Sequence, residues 1–201
     1  MTRHATLATL VFALLAAAFG AACAQDARPA AAPAAASAVP VAAARAADVA
    51  SVDAVVAALY DVISGPAGAA RDWDRLRSLF APEGKLVAVG ARPAGGFGAR
   101  AMTVDDYIGR VTKPFSEHGF FEREAARSSD SFGQIVHVFS TYESRHAPAD
   151  AKPFQRGINS IQLYSDGQRW FILSLLWRAE DDKLALPEQY LHTRQDGNFV
   201  K

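Results

Sequence analysis

The chain has 201 residues, with 21 basic and 21 acidic side chains and a single cysteine. This length suits one domain with a hydrophobic core and is too short for two ordinary domains. Because the lysines and arginines are scattered among acidic residues and form no basic stripe, we exclude nucleic acid as a partner.

The first 24 residues have the three-part layout of an export signal. Arg3 and His4 form a short polar head, an apolar run extends from Leu7 to Phe19, and small residues lead to Ala24. The apolar run is shorter than the roughly 20 residues with which a helix crosses a bilayer. We therefore predict a signal peptide at residues 1–24 and an exported protein, periplasmic or secreted.

Cys23 leaves a second processing route open. Cleavage after Ala24 removes the only cysteine, so the mature domain would contain no disulfide. Acylation of Cys23 would instead anchor the protein by lipid, and the membrane would then be a partner. Gly20 stands where a lipoprotein signal usually has a branched apolar residue, which favours the soluble route.

The rest of the chain divides by composition. Residues 25–50 are almost all alanine and proline without apolar periodicity, which is typical of a disordered linker. The folded domain is predicted at residues 51–180, and a C-terminal tail follows at 181–201.

Three helices are predicted near the start of the domain, each with apolar residues at helical spacing. The N-cap and the residue that ends each helix are, in chain order, Ser51 and Gly65, Asp72 and Pro82, and Thr103 and Pro114. Asp106 lies three residues after Thr103, which is the spacing of a capping box. A short strand, Lys85–Val89, is expected between the second and third helices.

After Pro114 the apolar pattern takes the period of a strand. The four predicted strands are Gly119–Arg127, Gln134–Arg145, Phe154–Ser165 and Gln168–Arg178. Asp166-Gly167 is a strong hairpin signal because both residues tolerate positive φ. The order of elements predicts an α+β fold in which the last four strands form an antiparallel meander.

The final predicted strand is apolar on both faces, so its sheet needs two covers. Alternation along the strand places one group, Trp170, Ile172 and Leu176, opposite the other, Phe171, Leu173, Leu175 and Trp177. The helices can cover the concave face. Two covers are open for the other face: a second protomer, giving a homodimer, or the tail from Pro187 to Val200.

Several segments of the chain between Ser51 and Trp177 resemble the NTF2-like superfamily. These segments are Trp73-Asp74-Arg75-Leu76 leading to Leu79-Phe80-Ala81-Pro82, then Arg156-Gly157-Ile158-Asn159-Ser160, and Asp166-Gly167-Gln168-Arg169-Trp170-Phe171-Ile172. The chain looks most like exported SnoaL-like or DUF4440-like domains, and the superfamily also includes ketosteroid isomerase and scytalone dehydratase. The resemblance implies an NTF2-like cone, with three N-terminal helices packed on a curved antiparallel sheet and a pocket between them.

Polar residues on the predicted strands are the candidates for chemistry in that pocket. His137, with Glu122 or Glu124 on the neighbouring strand, would form a tunable catalytic base. The alternative is that His137 is a core or interface histidine. For Glu122 and Glu124 the alternative is pairing with Arg123, Arg145 or Arg156 across the sheet.

Other residues are candidates for binding a ligand. Tyr107 and Tyr142 could donate hydrogen bonds to it, or they could be core residues with one polar end. Asn159 and Gln162 suit ligand orientation, but they lie on opposite faces of one strand, so only one of them can face the pocket. Trp177 is expected to line the pocket with Tyr107.

Signatures of other chemistries are lacking in the sequence. The five histidines are far apart and have no cysteine or histidine partner at metal-ligand spacing, so we expect no metal and no cofactor. Three functions stay open at this point: binding of a small, largely apolar molecule in the cone; acid–base catalysis of an isomerase, dehydratase or cyclase type; and a structural dimerisation module.

Overall fold

The folded part of the chain begins before the predicted domain boundary at residue 51. The computed structural model describes residues 43–195, so the predicted signal and most of the predicted linker lie outside the described residues. Helix α1, Ala46–Val49, falls inside the linker prediction. Val49 is buried in the core, and Arg75 holds Asp48 with two hydrogen bonds of 2.7 and 2.9 Å. These contacts give this end of the alanine-rich segment a fixed place.

The three predicted helices are present, and their N-caps are confirmed. They are α2, Val52–Ile63; α3, Trp73–Leu79; and α4, Val104–Glu117. Ser51 Oγ accepts from the backbone of Ala54 at 3.1 Å, and Asp72 accepts from that of Arg75 at 2.9 Å. Thr103 and Asp106 form the reciprocal capping box, which satisfies two donors at the start of α4.

The prediction that Pro114 closes the third helix is wrong, because α4 continues for three residues to Glu117. Proline removes one helical donor, but its own carbonyl still accepts from the backbone of His118 at 2.9 Å. Phe115, in this last turn, is buried and stacks on Phe120 with ring centroids 4.7 Å apart. Burial of this aromatic ring stabilises the turn beyond the proline.

Seven strands of the described region form one sheet, which contains the predicted four-strand meander. The strands are β1, Phe80–Ala91; β2, Phe97–Met102; β3, Phe121–Phe132; β4, Ile135–Arg145; β5, Gln155–Ser165; β6, Trp170–Ala179; and β7, Arg194–Gln195. Their spatial order is β2-β1-β6-β5-β4-β3-β7. The meander β3 to β6 is antiparallel throughout, and Gly167 has a φ of 93° in the turn between β5 and β6.

Two details of the expected architecture differ from the structure. The sheet is mixed, because β1 lies parallel to β6 and β7 lies parallel to β3. The helices are four in the described region, and α4 follows the first two strands. Sequence periodicity indicates where strands occur but not which strands become neighbours, so the parallel pairing of β1 was not predictable from it.

Because of a β-bulge, some residues of the final strand lie on the face opposite to the one that simple alternation predicts. The register between β5 and β6 shifts after Ser174, so Leu173 is an extra residue in β6. Ile172, Leu175 and Trp177 consequently share the inner face, although simple alternation placed Ile172 opposite the other two. Leu173 and Leu176 lie outside and are 41% and 38% exposed.

The tail covers part of the outer face of the sheet. After β6 the chain makes a 3₁₀ turn at Glu188–Tyr190. The ring of Tyr190 packs on Phe139 with centroids 5.0 Å apart, and Thr141 Oγ1 donates to the carbonyl of Tyr190 at 2.5 Å. The outer side of β4 is thus covered by the chain itself at Phe139 and Thr141. A homodimer through the rest of this face stays a prediction.

The inner face of the sheet and the helices enclose the core. Fully buried side chains come from α2, α3 and the strands, and among them are Val55, Val56, Leu76, Leu79, Val138, Tyr142, Ile161 and Ile172. No helix in residues 43–195 is both long enough and apolar enough to cross a membrane. The core is closed around β3 to β6 but leaves a cavity toward α4.

Candidate functional site

A cavity of about 180 Å³ lies between the helices and the inner face of the sheet. Its walls are mostly aliphatic and aromatic, with a few polar groups from three neighbouring strands. The lining residues are Leu59, Ile63, Leu76, Leu86, Tyr107, Val111, Phe115, Phe120, Glu122, Tyr142, Gln155, Asn159, Leu175 and Trp177. Glu122 is the one acidic or basic side chain among them.

The backbone on both sides of Glu122 is tied to the end of α2. Ser64, the C-cap of α2, accepts a hydrogen bond from the Glu122 backbone N–H at 2.9 Å, and its one proton is shared between the carbonyls of Tyr60 at 2.7 Å and Glu122 at 3.1 Å. On the neighbouring strand, Ser144 is the cross-strand partner of Glu122 and donates to its Oε2 at 2.7 Å. The carboxyl group is therefore held at a defined place on the cavity wall.

The apolar surroundings of Glu122 change its proton affinity. Burial raises the pKa of this carboxyl from its ordinary value of 4.5 to about 7, because desolvation disfavours the charged form. Hydrogen bonds donated by Ser144 and Asn159 oppose that effect, since they stabilise the carboxylate. Glu122 is consequently poised to exist in both protonation states near neutral pH.

Two tyrosine hydroxyls accompany the carboxyl group. Tyr107 comes from α4 and meets Trp177 edge to face, with centroids 6.4 Å apart. Burial, with a smaller effect of Glu122, raises the pKa of Tyr107 and of Tyr142, so both phenols keep their protons. None of the hydrogen bonds among residues 43–195 involves the Tyr107 hydroxyl. This hydroxyl can donate to a bound molecule.

A glycine makes room for the second tyrosine. Gly157 of β5 is the cross-strand partner of Tyr142, and a Cβ at Gly157 would lie 2.7 Å from the Tyr142 hydroxyl. That hydroxyl donates to Gln155 Oε1 at 3.5 Å, a long hydrogen bond. The same Cβ would lie within clashing distance of the backbone carbonyl oxygen of Arg178 on β6. A side chain at position 157 would therefore disturb the strand pairing as well as displace the tyrosine, so the glycine preserves the shape of this wall.

Five of the eight predicted site residues line the cavity, four of them on strands and one on α4. Those that line it are Glu122, Tyr107, Tyr142, Asn159 and Trp177. Those that do not are His137, Glu124 and Gln162. Gln162 is exposed on the outer face of β5, so of the two amide residues only Asn159 faces the cavity.

His137 and the carboxylates do not converge on the cavity. His137 pairs across the sheet with Gln162, and its Nε2 lies 2.9 Å from Ser160 Oγ, on the face opposite Asn159. The edge of its ring contacts Phe139. The hypothesis that His137 is a base assisted by Glu122 or Glu124 is therefore corrected, because alternation along β4 turns His137 away from the inner face.

Glu124 faces inward but is bound to other partners. Arg127 binds both of its carboxylate oxygens, at 2.9 and 2.7 Å, and Ser140 donates to Oε1 at 2.6 Å. Within the described residues, neither glutamate forms the expected pair with an arginine across the sheet. A bulge at Ala125 brings Arg127 to the inner face beside Glu124, which alternation alone does not predict.

Three polar residues of this region were absent from the sequence prediction. Gln155 lines the cavity, and it shares the parity of Asn159 along β5, so alternation could have identified it. Tyr60 and Ser140 are buried beside the cavity and hydrogen-bond each other at 2.7 Å. No sequence signal indicates this pair, because the two residues are 80 positions apart.

Glu122 also borders an open groove on the other side of the α2 end. The residues that line this groove are Tyr60, Asp61, Ser64, Phe121, Glu122, Arg123, Arg145, Pro148 and Asp150. Both arginines bind Glu143, at 2.6 and 2.9 Å, so that carboxylate offsets one of their two positive charges. Glu122 thus lies between an apolar cavity and an open groove with charged walls.

No protein-family model matches the sequence, and no curated protein matches it. Among solved structures, an NTF2-like protein of unknown function from Pseudomonas aeruginosa is similar, with 16% identity and a TM-score of 0.44 over 62% of this chain and 91% of that one. Another from Silicibacter pomeroyi has 18% identity and a TM-score of 0.38, over 65% and 99% of the two chains. A DUF4783 family protein from Bacteroides ovatus has 10% identity and a TM-score of 0.38, over 63% and 96%.

The first two of these proteins carry the name of the superfamily that the sequence resembles. At such identities and TM-scores the matches support no conclusion about the activity or ligand of this chain. Its chemistry follows from the cavity itself, which offers an apolar enclosure, one carboxyl group with a raised pKa, and two phenols that donate hydrogen bonds.

Proposed function

We propose that the cavity binds a small, largely apolar molecule that carries a single polar group, which is oriented by Glu122 and Tyr107. The observation that supports the proposal is the composition of the lining: one carboxyl group and a few hydrogen-bonding groups in an otherwise aliphatic and aromatic wall. Binding sites for small molecules typically combine apolar walls with a few placed polar groups.

The cavity volume limits the size of the ligand. A volume of about 180 Å³ is slightly larger than the roughly 150 Å³ of an apolar cavity that holds one benzene molecule. The ligand class is therefore a single substituted ring. Its polar group would be a carbonyl, which accepts from the Tyr107 phenol or from protonated Glu122, or a hydroxyl, which donates to the Glu122 carboxylate.

Narrowing the cavity should weaken binding of such a ring. Val111 lines the cavity from α4, and Val111→Phe would place a larger side chain in the same space. With phenol and cyclohex-2-enone as probes, we expect millimolar or tighter binding to the wild type and at least about tenfold weaker binding to the variant. Binding is measured from the shift of the Trp177 indole N–H signal in NMR titrations.

Thr112→Phe is the matched control, because Thr112 is the next residue of α4 and faces solvent. It introduces the same ring on the same helix, so its probe affinities should equal those of the wild type. The proposal is wrong if neither probe shifts the Trp177 signal of the wild type, or if both variants bind the probes as tightly as the wild type does.

A second candidate function is proton transfer to or from the bound molecule by Glu122. The observation that favours it is the raised pKa of this carboxyl, about 7, since a general acid–base group works best when its pKa lies near the working pH. Tyr107 would then stabilise negative charge that develops on a carbonyl oxygen. The reaction class is isomerisation or dehydration through an enol, with Glu122 as the base.

Exchange of carbon-bound protons tests this candidate. The wild type in D₂O should accelerate deuterium incorporation next to the carbonyl of cyclohexanone. The rate should rise with pH through an apparent pKa of about 7, as Glu122 becomes the carboxylate. Glu122→Gln should lose this acceleration and still bind cyclohexanone. If deuterium exchange with the wild type is no faster than in buffer alone, proton transfer by Glu122 is excluded and the binding proposal still stands.

A further inference from the structure

A continuous chain of buried hydrogen bonds leads from the cavity to the protein surface. Asn159 Nδ2 lies 3.0 Å from the Tyr60 hydroxyl, which lies 2.7 Å from Ser140 Oγ, which in turn lies 2.6 Å from Glu124 Oε1. Arg127 binds the Glu124 carboxylate and also forms an ion pair with the exposed Asp53. Asn159, Tyr60 and Ser140 are at most 5% exposed.

The donor and acceptor of each link follow from the charge at one end. Glu124 forms an ion pair with Arg127 through both of its oxygens, and a carboxylate in such a pair only accepts hydrogen bonds. Ser140 therefore uses its one proton on Glu124, so its oxygen must accept from Tyr60. Tyr60 in turn uses its one proton on Ser140, so its oxygen accepts from the Asn159 amide.

This direction determines which end of the Asn159 amide faces Glu122. The amide nitrogen is turned toward Tyr60. Because Asn159 and Glu122 line the same cavity, and a hydrogen bond from Asn159 acts to lower the pKa of Glu122, we assign the other amide hydrogen to the Glu122 carboxylate. A reversed amide would present its carbonyl oxygen there, and that oxygen could be satisfied only by a protonated Glu122. When the Asn159 amide points its nitrogen at Glu122 it favours the charged carboxylate, and when it points its oxygen there it favours the protonated form.

We propose that Glu124, Ser140 and Tyr60 are positioning residues that orient the Asn159 amide, so that it donates to Glu122 in the cavity. The inference rests on the proposed function only in that Glu122 is the polar group offered to the ligand. Glu124 thereby acts indirectly: it does not contact the ligand, but it influences the protonation of Glu122, which does.

Glu124→Gln tests the chain because a glutamine can donate where a glutamate cannot. The introduced glutamine would keep its side-chain oxygen on Arg127 Nη2 and place its nitrogen where Oε1 now accepts from both Ser140 and Arg127 Nε. That nitrogen would lose the Arg127 Nε hydrogen bond and donate to Ser140, which lets every link reverse, and Asn159 would turn its carbonyl oxygen toward Glu122. We expect the pKa of Glu122 to rise by about one pH unit. Removal of a negative charge acting through space would lower that pKa, so the two explanations predict opposite signs.

The measurement is an NMR titration of the full chain with ¹³C-labelled glutamate carboxyls. The groups that also face Glu122 are Tyr60, Tyr107, Tyr142, Asp61, Arg123, Arg145 and Asp150. All of them are unchanged in Glu124→Gln. Asp53→Asn is the matched control, because it removes a neighbouring charge while Arg127 still holds Glu124; its Glu122 pKa should equal that of the wild type.

Tyr60→Phe is the second variant, and it breaks the chain without changing a charge at either end. It should also raise the pKa of Glu122, since Asn159 loses the acceptor that orients it. An unchanged or lowered pKa in both Glu124→Gln and Tyr60→Phe would overturn the proposal, as would a rise in Asp53→Asn equal to that in Glu124→Gln. Failure of the probes to bind would contradict the proposed function and leave this titration result unaffected.

Discussion

Glu122→Gln is expected to raise the free energy of unfolding by about 3 kcal/mol at pH 8 and to leave it almost unchanged at pH 4. Below pH 4.5 the wild-type carboxyl is protonated in both the folded and the unfolded chain, and a neutral glutamine of the same shape replaces it at little cost. The difference should develop between pH 4.5 and about 7 and then remain constant.

The direction of this pH dependence follows from which state, folded or unfolded, binds the Glu122 proton more tightly. The folded chain holds the Glu122 proton to about pH 7, whereas the unfolded chain releases it near pH 4.5. Between these values the folded state binds more protons, so the stability of the wild type falls as the pH rises. Above pH 7 the buried carboxylate destabilises the fold by the full amount, and glutamine does not carry that charge.

Denaturation in urea at a series of pH values measures this difference directly. Other groups that titrate are the same in both proteins, so their contributions cancel in the comparison. Glu83→Gln is the control, because Glu83 is exposed on β1 and forms no ion pair within residues 43–195. Its stability should follow the wild type at every pH. A Glu122→Gln curve parallel to the wild type would contradict the raised pKa.

Arg71→Met is expected to destabilise the protein by about 3 kcal/mol or more. Arg71 is 9% exposed and has no carboxylate partner in the described part of the chain. Its guanidinium donates to the carbonyls of Ile63, Gly65 and Ala69 at 3.1, 2.7 and 2.7 Å, and to that of Pro66 at 3.3 Å. Methionine fills similar space but removes all four of these hydrogen bonds, including that to the carbonyl of the buried Ile63.

The same substitution should also disturb the cavity. The segment that Arg71 holds exchanges two backbone hydrogen bonds between Gly65 and Phe120, at 2.7 and 3.0 Å, and the guanidinium lies over the ring of Phe115, 5.4 Å from its centroid. Phe115, Phe120 and Ile63 all line the cavity. We therefore expect weaker binding of phenol as well as lower stability.

Arg77→Met is the matched control for Arg71. Arg77 lies on α3 and binds the exposed carboxylates of Asp74 and Asp105, each at 2.7 Å. Surface ion pairs of this kind contribute about 1 kcal/mol or less. Equal destabilisation of the two variants in urea would show that the hydrogen bonds from Arg71 to backbone carbonyls have no special role.

Much of the fold could be predicted from the sequence because the relevant signals are local. Ser51, Asp72 and Thr103 cap helices as expected, since a cap depends only on the next three residues. The Asp166-Gly167 turn and the meander follow from turn chemistry and strand period. The polar and aromatic residues on these elements were candidates for the same reason, and those that line the cavity include Tyr107, Tyr142, Asn159 and Trp177.

Bulges and long-range contacts explain the failures. An extra residue at Leu173 reverses the alternation of β6, and another at Ala125 brings Arg127 beside Glu124. His137 was a plausible base only while the inner face of β4 was unknown. The assignment of an inner face depends on which side the helices cover, and that is a property of the assembled domain.

The sequence by itself determined the class of the fold, the helix caps and the succession of the last four strands, because each depends on neighbours along the chain, and the export signal stays a prediction. Only the tertiary structure decided that Glu122 lines the cavity while His137 does not, and that Tyr60 and Ser140 join Asn159 to Glu124. The pKa of a carboxyl depends on the solvent it loses and the donors it gains. Both come from residues far away in the chain.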